Sequence, residues 1–351
     1  MINKFSDKTR ELEKNSRDDR GSIKKVRKIL EKQHYSLVGN TSAVQICRWT
    51  KNSLNKRGVC WKEKFYGIKS SQCCQFSPAV MWCDNQCLHC WRPIEMNLGT
   101  EISEIDDPKQ IIDGIVEARK KLLIGFKGNA KVSGKEFKEA LEPKLFTMSL
   151  SGEATLYPRI GELIKEIRKR KAVSFLVTNG LHPDVLEKLA KESSLPSQLT
   201  VSTNAPNEEL FNLWHRSSRK DAWKKFNETL NVVRKLKGKT RRVIRLTLVK
   251  KGQEKGRFKE LSNMEDNNIP EYAELIKKAE PDFIHVKGFM SVGYARDRMG
   301  YDKQPWHKDV KEFSEKLILK LGDKWKILGE EERSCVVLLG KNKKDLKIRN
   351  V

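Results

Sequence analysis

Short apolar runs rich in β-branched and aromatic residues alternate with long amphipathic stretches that carry many Lys and Glu residues. The apolar runs predict strands at 76–82, 146–150, 173–178, 199–202, 243–248 and 283–287. The amphipathic stretches predict helices at 107–124, 159–171, 183–191, 220–236 and 272–279. Strands that alternate with helices in this way are typical of βαβ units and a mostly parallel sheet.

Six such units predict an α/β fold in the form of a partial (β/α)6 barrel, whose chemistry faces the loops at the strand C-termini. A last strand at 334–339 is expected to close one edge. The sequence predicts four segments along the chain. These are a basic, partly disordered and partly helical extension at 1–38, a cysteine-rich segment packed on the barrel at 39–78, the barrel at 79–340, and a basic tail at 341–351.

The composition indicates a soluble protein, with 38% hydrophobic and 33% charged residues among 351. No apolar run is long enough to span a bilayer, and the charged start does not resemble a secretory leader, so a cytoplasmic location without a membrane partner is expected. With 71 basic and 46 acidic residues, the net charge is +25. Such a charge favours a polyanionic partner, first of all nucleic acid, although adaptation to salt or heat and a Lys-rich proteome are alternatives.

The eight cysteines are unevenly placed, since seven lie between Cys47 and Cys90 and only Cys335 lies outside. Clustered cysteines in a large chain without an export signal indicate a metal site or catalysis rather than disulfides. Cys83, Cys87 and Cys90 are spaced C-x3-C-x2-C directly after a predicted strand. Three thiolates in one tight loop can bind three irons of a [4Fe–4S] cluster and leave the fourth iron open. Structural zinc usually requires four protein ligands.

A second set, Cys47, Cys60 and Cys73, is spaced at two equal intervals. The spacing alone is compatible with a second [4Fe–4S] cluster or with ordinary buried cysteines, and Cys74 is an alternative to Cys73. Two lysines follow Cys60, at positions 62 and 64. Either Lys62 or Lys64 can capture a carbonyl as a Schiff base if its pKa is lowered, but in a Lys-rich chain both are more often solvated.

The cysteine loop resembles that of the radical S-adenosylmethionine (SAM) superfamily, and further motifs follow in the superfamily's order. Ser151-Gly152-Glu153 resembles the Gly-Gly-Glu motif, whose backbone contacts the amino group of SAM. The resemblance implies further polar contacts to SAM after the next strands, from Thr178, Asn179, Ser202, Asn204 and Arg245. Taken singly, each of these residues also has an ordinary structural interpretation, either as a turn residue after a strand or as an arginine that pairs with a structural carboxylate.

The chain is similar, more narrowly, to the wybutosine-pathway family that forms 4-demethylwyosine in tRNA. The matching stretches are 65–68, 82–92, 139–144, 149–153, 155–158, 287–290 and 292–294, and the intervals of the second cysteine set match as well. The likeness runs from about residue 30 to nearly the end. It implies a form without the flavodoxin module of eukaryotic relatives.

The family resemblance implies that N1-methylguanosine beside the anticodon of phenylalanine tRNA condenses with pyruvate to give tricyclic 4-demethylwyosine. It implies SAM, two [4Fe–4S] clusters, an external electron donor and a monomeric enzyme, with pyruvate held by the second cluster or by a lysine such as Lys62. Basic candidates for RNA contact are Lys24, Lys25, Arg27, Lys250, Lys251, Arg296 and Arg298. Candidates for base stacking are Trp49, Trp61 and Tyr294.

Several positions depart from the family pattern and leave alternatives open. Ala154 stands where the family has Pro, Asn204 where it has Asp, and His285 where it has Glu. The loop 250–253 also lacks the family's Gly-Tyr-Asn. The alternatives are a radical SAM enzyme with another substrate, an RNA-binding zinc protein and an electron-transfer ferredoxin.

Overall fold

One sheet of ten strands organises the chain in the computed structural model, which describes residues 19–253, 258–344 and 346–348. The strands are β1 (Ser36–Val38), β2 (Ser42–Gln45), β3 (Cys73–Ser77), β4 (Leu145–Met148), β5 (Val173–Thr178), β6 (Gln198–Ser202), β7 (Arg241–Leu248), β8 (Phe283–Gly288), β9 (Lys326–Glu331) and β10 (Val336–Gly340). Their order in the sheet is β1-β2-β3-β4-β5-β6-β7-β8-β10-β9. Neighbours from β3 to β8 are parallel, whereas β1, β2, β10 and β9 extend the two edges in antiparallel pairs.

Helices connect the parallel strands and cover the outer face of the sheet. The helices are α1 (Asp19–Lys32), α2 (Arg48–Leu54), α3 (Trp61–Tyr66), α4 (Pro108–Leu123), α5 (Gly134–Leu141), α6 (Ile160–Lys169), α7 (Pro183–Lys191), α8 (Glu208–His215), α9 (Ala222–Lys235), α10 (Ile269–Ala279), α11 (Tyr294–Met299) and α12 (His307–Leu321). The start of α4 illustrates the local cause, because Asp107 accepts hydrogen bonds from the Lys109 and Gln110 amides at 2.9 and 3.2 Å. Pro108 occupies the first turn, where its missing N–H costs nothing.

The inner face of the sheet forms a lumen that differs from the outer core. Positions that alternate along the strands are only half-buried, although helices cover the other face of the sheet: Gln75, Val177, Ser202, Arg245, Thr247 and Lys287. Successive side chains of a strand point to opposite faces, so these positions line the lumen. The strand register places Ser202 beside Arg245 and Thr247 beside Lys287. The lumen is therefore polar and basic.

Helix α3 and the C-terminal segment fill the end of the lumen at the strand N-termini. Phe65 and Tyr66 of α3 belong to a buried apolar cluster that also includes Leu346. The Ile348 amide donates to the Tyr66 carbonyl at 3.0 Å. The opposite end, at the strand C-termini, carries the cysteine loop after β3. The first cysteine loop therefore lies at the end that a barrel uses for catalysis.

The sequence predicted most of the parallel strands and their helices, and the partial barrel is confirmed. The first strand is a correction: β3 begins at Cys73 and ends at Ser77, whereas the expected strand was 76–82. Pro78 follows Ser77 and has no N–H to donate to a ladder, so the strand stops there. The last expected strand is also corrected, because β10 pairs with β8 while β9 forms the edge.

The basic helix expected in the N-terminal extension is present as α1, while residues 1–18 of that extension lie outside the described residues. The division of the chain into four segments stays a prediction, and β3 of the parallel set falls within the segment 39–78. Across the described part of the chain, no helix is long and apolar enough to cross a membrane.

Candidate active site

The loop after β3 brings Cys83, Cys87 and Cys90 together. The Cys83 amide donates to the Gly99 carbonyl at 2.9 Å and to the Asn97 side chain at 3.1 Å, and the Cys90 amide donates to the Cys87 carbonyl at 3.0 Å. Burial raises the pKa of all three thiols, and the neighbouring thiols raise those of Cys83 and Cys87 further. Three thiols that share one half-buried loop are a donor set that fits iron, since metal binding replaces their protons.

The turn Ser151-Gly152-Glu153 packs against the backbone that leads into this loop. Gly152 has φ +68°, and a Cβ at this position would lie 1.9 Å from the Ala79 carbonyl oxygen. The Glu153 amide donates to the Trp82 carbonyl at 2.7 Å. Only glycine fits such a backbone approach at positive φ. The Gly-Gly-Glu-like motif therefore lies beside the cysteine loop, as the resemblance implied.

The Glu153 carboxylate connects the ends of two strands. It accepts from the Thr155 hydroxyl at 2.7 Å and from the Asn179 amide at 2.7 Å. The Asn179 side chain donates to Asp84 at 3.3 Å, and His182 lies 2.9 Å from the same Asp84 oxygen. Burial opposes ionisation of Asp84, but the hydrogen bonds and charge of His182 outweigh it and lower the pKa of this carboxyl. This network fixes the residue that follows Cys83.

The remaining candidate contacts to SAM lie at the ends of β5 and β6 and within β7. Arg245 donates to the Ser202 hydroxyl at 3.1 Å, and burial lowers the pKa of Arg245 to about 10. Asn204 accepts from the Thr247 amide at 3.1 Å, and its side-chain amide lies 3.4 Å from His89. Thr178 differs, because its hydroxyl accepts from the Gly180 amide at 3.1 Å within a turn.

Several buried polar atoms around the cysteine loop have no hydrogen-bond partner among the residues that the structure describes. They are Asp84 Oδ1, both polar side-chain atoms of Asn85, Thr203 Oγ1 and Arg245 Nε. Native proteins rarely leave such atoms unpaired. A polar ligand bound beside the loop could pair with these atoms.

The second cysteine set also converges, although its members come from three different elements. Cys47 caps α2, Cys60 precedes α3, and Cys73 opens β3. Burial raises the pKa of Cys60 to about 12, and the nearby Cys47 and Cys73 add to the rise. Cys74 belongs to the core on the outer face of β3, whereas Cys73 belongs to the inner cluster. Strand alternation therefore separates Cys74 from the set.

The two candidate lysines have different surroundings. The Lys62 amine lies 3.8 Å from the Cys73 sulfur and 6.0 Å from the centre of the Phe175 ring. Lys64 is exposed and forms an ion pair with Glu331 on β9. Burial acts to lower the pKa of Lys62, but the Cys73, Cys60 and Cys47 thiols outweigh it and raise that pKa. The expectation that a Schiff-base lysine has a lowered pKa is therefore not fulfilled by Lys62.

Within the described ranges, no three His, Cys, Asp or Glu side chains lie close enough together to hold a single metal ion. A [4Fe–4S] cluster distributes its thiolates over separate irons, whereas zinc gathers its ligands about 2.0–2.3 Å from one centre.

The mouth of the barrel carries exposed aromatic side chains. Trp91 is 43% exposed beside the cysteine loop, and Tyr301 and Trp306, in the segment after β8, are 55% and 51% exposed. The Arg92 guanidinium lies 4.1 Å from the Trp91 ring centre, and that of Arg296 lies 5.9 Å from the Tyr301 ring centre.

The aromatic residues predicted from the sequence to stack on bases have surroundings that differ from those of the exposed rings at the mouth. Trp61 packs against His285 with ring centres 4.7 Å apart, Trp49 lies beneath the Arg333 guanidinium, and Tyr294 is half-buried. Trp61 is therefore part of the barrel interior rather than an exposed stacking surface.

The basic candidates for RNA contact also divide into two kinds. Arg298 donates to the carbonyls of Leu88, Cys90 and Arg92, so it holds the cysteine loop. Lys251 pairs with Glu265 at 3.1 Å. The other candidates keep basic groups on the surface or near it: Lys24, Lys25, Arg27, Lys250 and Arg296.

Comparison with known proteins gives two family matches. Residues 78–264 match the radical SAM superfamily, and residues 278–341 match the family described as wyosine base formation. An S-adenosyl-L-methionine-dependent tRNA 4-demethylwyosine synthase of Pyrococcus abyssi is 44% identical over 90% of this chain and 88% of its own length. The chain belongs to the radical SAM family of tRNA 4-demethylwyosine synthases.

Solved structures agree with this membership in the 4-demethylwyosine synthase family. A structure of TYW1 with a bound lysine–pyruvate adduct superposes with a TM-score of 0.78 at 31% identity, over 92% of this chain and 98% of that one. A crystal structure of archaeal TYW1 gives 0.70 at 31% identity, over 92% and 97%. The synthase family uses SAM and a [4Fe–4S] cluster, so membership in the family confirms the prediction of these two cofactors.

The departures from the family pattern have identifiable places. His285 lies in the lumen, where its ring contacts the Tyr66 hydroxyl, and burial holds its pKa well below the usual range. Asn204 is uncharged and makes its contacts to the Thr247 amide and the His89 ring. Ala154 is buried at the start of the short 3₁₀ turn Ala154–Leu156.

Sequence reasoning missed the contacts that hold the cysteine loop from outside it. Trp214, His215 and Arg298 all bond to residues 86–92 from distant parts of the chain. A helix at 208–215 carries an apolar face, which was the available signal, but no pattern in the sequence pairs Trp214 or His215 with the loop.

Proposed function

We propose that this chain is a tRNA 4-demethylwyosine synthase that joins N1-methylguanosine, beside the anticodon of phenylalanine tRNA, to two carbons of pyruvate, while the C1–C2 bond breaks and the carboxylate carbon leaves as a one-carbon product. The observation that carries the proposal is the placement of Lys62 in the barrel lumen, with its amine 3.8 Å from the Cys73 sulfur. That lysine lies on the same side of the sheet as the half-buried Arg245 and Lys287. A lysine–pyruvate adduct is bound in the similar TYW1 structure.

Cys83, Cys87 and Cys90 are proposed to hold the first [4Fe–4S] cluster, and SAM would bind beside it. SAM contacts are proposed for Ser151, Gly152, Glu153, Thr178, Asn179, Ser202, Asn204 and Arg245. When bound, the cluster and SAM would supply the radical chemistry that activates the N-methyl group. The chain's own part is to hold the loop: the Asp84 and Glu153 carboxylates tie it to the strand ends.

Cys47, Cys60 and Cys73 are proposed to hold a second [4Fe–4S] cluster. Their thiols come together from three elements, and Cys73 rather than Cys74 faces the lumen, which supports this assignment. The donor set is the one that iron–sulfur clusters take.

Lys62 is proposed to capture pyruvate as a Schiff base. Because the nearby thiols raise the pKa of Lys62, its ammonium would first have to give up a proton. The neutral amine would then add to the C2 carbonyl, and loss of one water would leave a C=N bond with the carboxylate still ionised. Arg245 and Lys287 bring positive charge to the same lumen, and the carboxylate is the complementary group. Burial lowers the pKa of Lys287 to about 8, and this amine donates to the Ser334 carbonyl at 3.0 Å.

The anticodon arm is proposed to approach the mouth of the barrel. The net charge of +25 suits a phosphate backbone, and the exposed rings of Trp91, Tyr301 and Trp306 suit unpaired bases. The methylguanosine would leave its stack to reach the lumen. The electron comes from an external donor. A monomeric form and a cytoplasmic location stay predictions.

The test is nucleoside mass analysis of phenylalanine tRNA that contains N1-methylguanosine, after anaerobic incubation with reconstituted protein, SAM, pyruvate and dithionite. The expected result is a tricyclic base whose formation requires pyruvate. Formation of 5′-deoxyadenosine without a new base would refute the tRNA substrate and favour a radical SAM enzyme with another substrate.

A further inference from the structure

The C-terminal end of α8 holds the first cysteine loop through its backbone. The Gln86 amide donates to the His215 carbonyl at 2.8 Å, and the Leu88 amide donates to the Trp214 carbonyl at 3.0 Å. Arg216 donates to the Gln86 carbonyl from two guanidinium nitrogens, at 3.1 and 3.0 Å. The last carbonyls of a helix have no partner inside it, so the loop and the helix end satisfy each other.

Two side chains of the same helix end contact the loop as well. His215 Nδ1 lies 3.0 Å from the Cys87 sulfur, and Trp214 Nε1 donates to His89 Nδ1 at 2.5 Å. Both Trp214 and His215 are buried. Each of these contacts is therefore shielded from water, which strengthens it.

The chemistry of the contact at Cys87 decides where the proton lies. A thiolate that binds iron can only accept a hydrogen bond, so Nδ1 of His215 must carry the hydrogen. The other ring nitrogen, Nε2, is buried without a hydrogen-bond partner within the described residues. The Phe211 ring packs on the imidazole with centres 4.6 Å apart. The imidazole is thus held with one nitrogen directed at the sulfur.

We propose that His215 is a positioning residue that raises the reduction potential of the first cluster through an N–H···S hydrogen bond to Cys87. The inference rests on the assignment of Cys87 as a ligand of that cluster and is independent of the tRNA substrate. Reduction adds negative charge to a cluster and its sulfurs. A hydrogen bond to a ligand sulfur stabilises that charge, so it favours the reduced state.

The test compares variants that differ in the hydrogen-bond donor. His215→Phe and His215→Leu remove the donor, whereas His215→Asn keeps an N–H in a side chain of similar reach. The readout is the midpoint potential of the cluster whose EPR signal changes on addition of SAM, titrated anaerobically in the full chain. His307→Asn is the control, because the imidazole of His307 pairs with Glu330 of β9 and not with the cysteine loop.

The expected result is a more negative potential in the Phe and Leu variants. A shift of about tenfold in the reduction equilibrium corresponds to about 59 mV for a one-electron couple. The Asn variant should stay near the potential of the unmodified chain. An unchanged potential in a donorless variant that retains its cluster would overturn the proposal.

Equal shifts in all three variants would also overturn it, because packing rather than the donor would then be responsible. If the Phe and Leu variants lose the cluster while the Asn variant keeps it, the donor serves to retain the cluster rather than to set its potential, and the proposal as stated fails. If all three lose the cluster, the role of His215 is packing alone and the proposal fails.

Discussion

Lys62 and Lys64 lie on the same short helix, yet their amines have opposite surroundings. The Lys62 amine approaches the Cys73 sulfur in the lumen, whereas that of Lys64 pairs with Glu331 at the edge of the sheet. Residues i and i+2 of a helix do not share a face, so the short helix α3 separates the two candidates. The helix between Cys60 and Cys73 therefore directs the amine of Lys62, but not that of Lys64, into the lumen.

The first prediction concerns that amine. Lys62→Arg should abolish reductive trapping of pyruvate, because a guanidinium keeps the charge but cannot form the imine. Base formation should fall by on the order of 10²-fold, as expected when a reactant is no longer held in place. Borohydride trapping followed by peptide mass analysis measures the adduct.

Lys64→Arg is the matched control and should trap pyruvate as the unmodified chain does. An adduct that persists in the Lys62 variant, or one that maps to Lys64, would refute the assignment of Lys62.

The second prediction concerns Gly152. In Gly152→Ala the new Cβ would collide with the Ala79 carbonyl oxygen, and the residue would be strained at φ +68°. Backbone next to the cysteine loop must then move, so SAM cleavage should fall sharply and stability should drop by roughly 1–3 kcal/mol. Anaerobic 5′-deoxyadenosine assays and thermal unfolding measure the two effects.

Gly238→Ala separates strain from collision. Gly238 has φ +75°, but a Cβ there meets nothing within 4 Å. Its substitution should cost about 1–2 kcal/mol in stability and leave SAM cleavage intact. If both variants lost cleavage equally, the argument from close approach at Gly152 would be wrong.

The third prediction concerns the second cysteine set. Replacement of Cys47, Cys60 and Cys73 by Ala should remove roughly four irons per chain, the content of one [4Fe–4S] cluster. SAM cleavage by the first cluster should persist. Iron analysis and the SAM-dependent EPR signal distinguish the two clusters.

Cys74→Ala provides the control, because Cys74 packs in the core on the outer face of β3. The variant should keep all its iron and lose only stability. Iron retained in the triple variant would mean that the three thiols are structural.

Strong local periodicity is what made much of the fold predictable. Helix α7 (Pro183–Lys191) and strand β5 (Val173–Thr178) have the expected bounds, because proline at the helix start and a β-branched run act over short range. The strands β1, β2 and β9 were missed, since β1 and β2 have only three and four residues and β9 is a mostly polar strand at the sheet edge. Their pairing depends on neighbours that are distant in sequence.

The candidate site shows the same division. The spacing of Cys83, Cys87 and Cys90 is local, and it was readable from the sequence alone. The choice of Cys73 over Cys74 required the strand bounds, and the expected strand at 76–82 excluded both residues. The contact of His215 with Cys87 joins positions separated by 128 residues, which no local pattern encodes.

The last prediction concerns RNA binding at the barrel mouth. Trp91→Ala and Trp306→Ala should each weaken binding of phenylalanine tRNA, because stacking of a base on an aromatic ring contributes about 1–3 kcal/mol. Such a loss is about five- to 150-fold in Kd. Cleavage of SAM without tRNA should be unchanged, since neither ring is a proposed ligand of the cluster or of SAM.

Leu319→Ala tests whether the effect belongs to the mouth. Leu319 is 81% exposed near the far end of α12, thirteen residues after Trp306 and roughly 20 Å along the helix axis. Filter binding at several salt concentrations should give this variant the affinity of the unmodified chain. The salt slope should stay the same in all three variants, because stacking leaves the number of phosphate contacts unchanged. If the tryptophan variants bind tRNA as tightly as the Leu319 variant, the RNA does not stack on these rings, and the basic surface alone would account for binding.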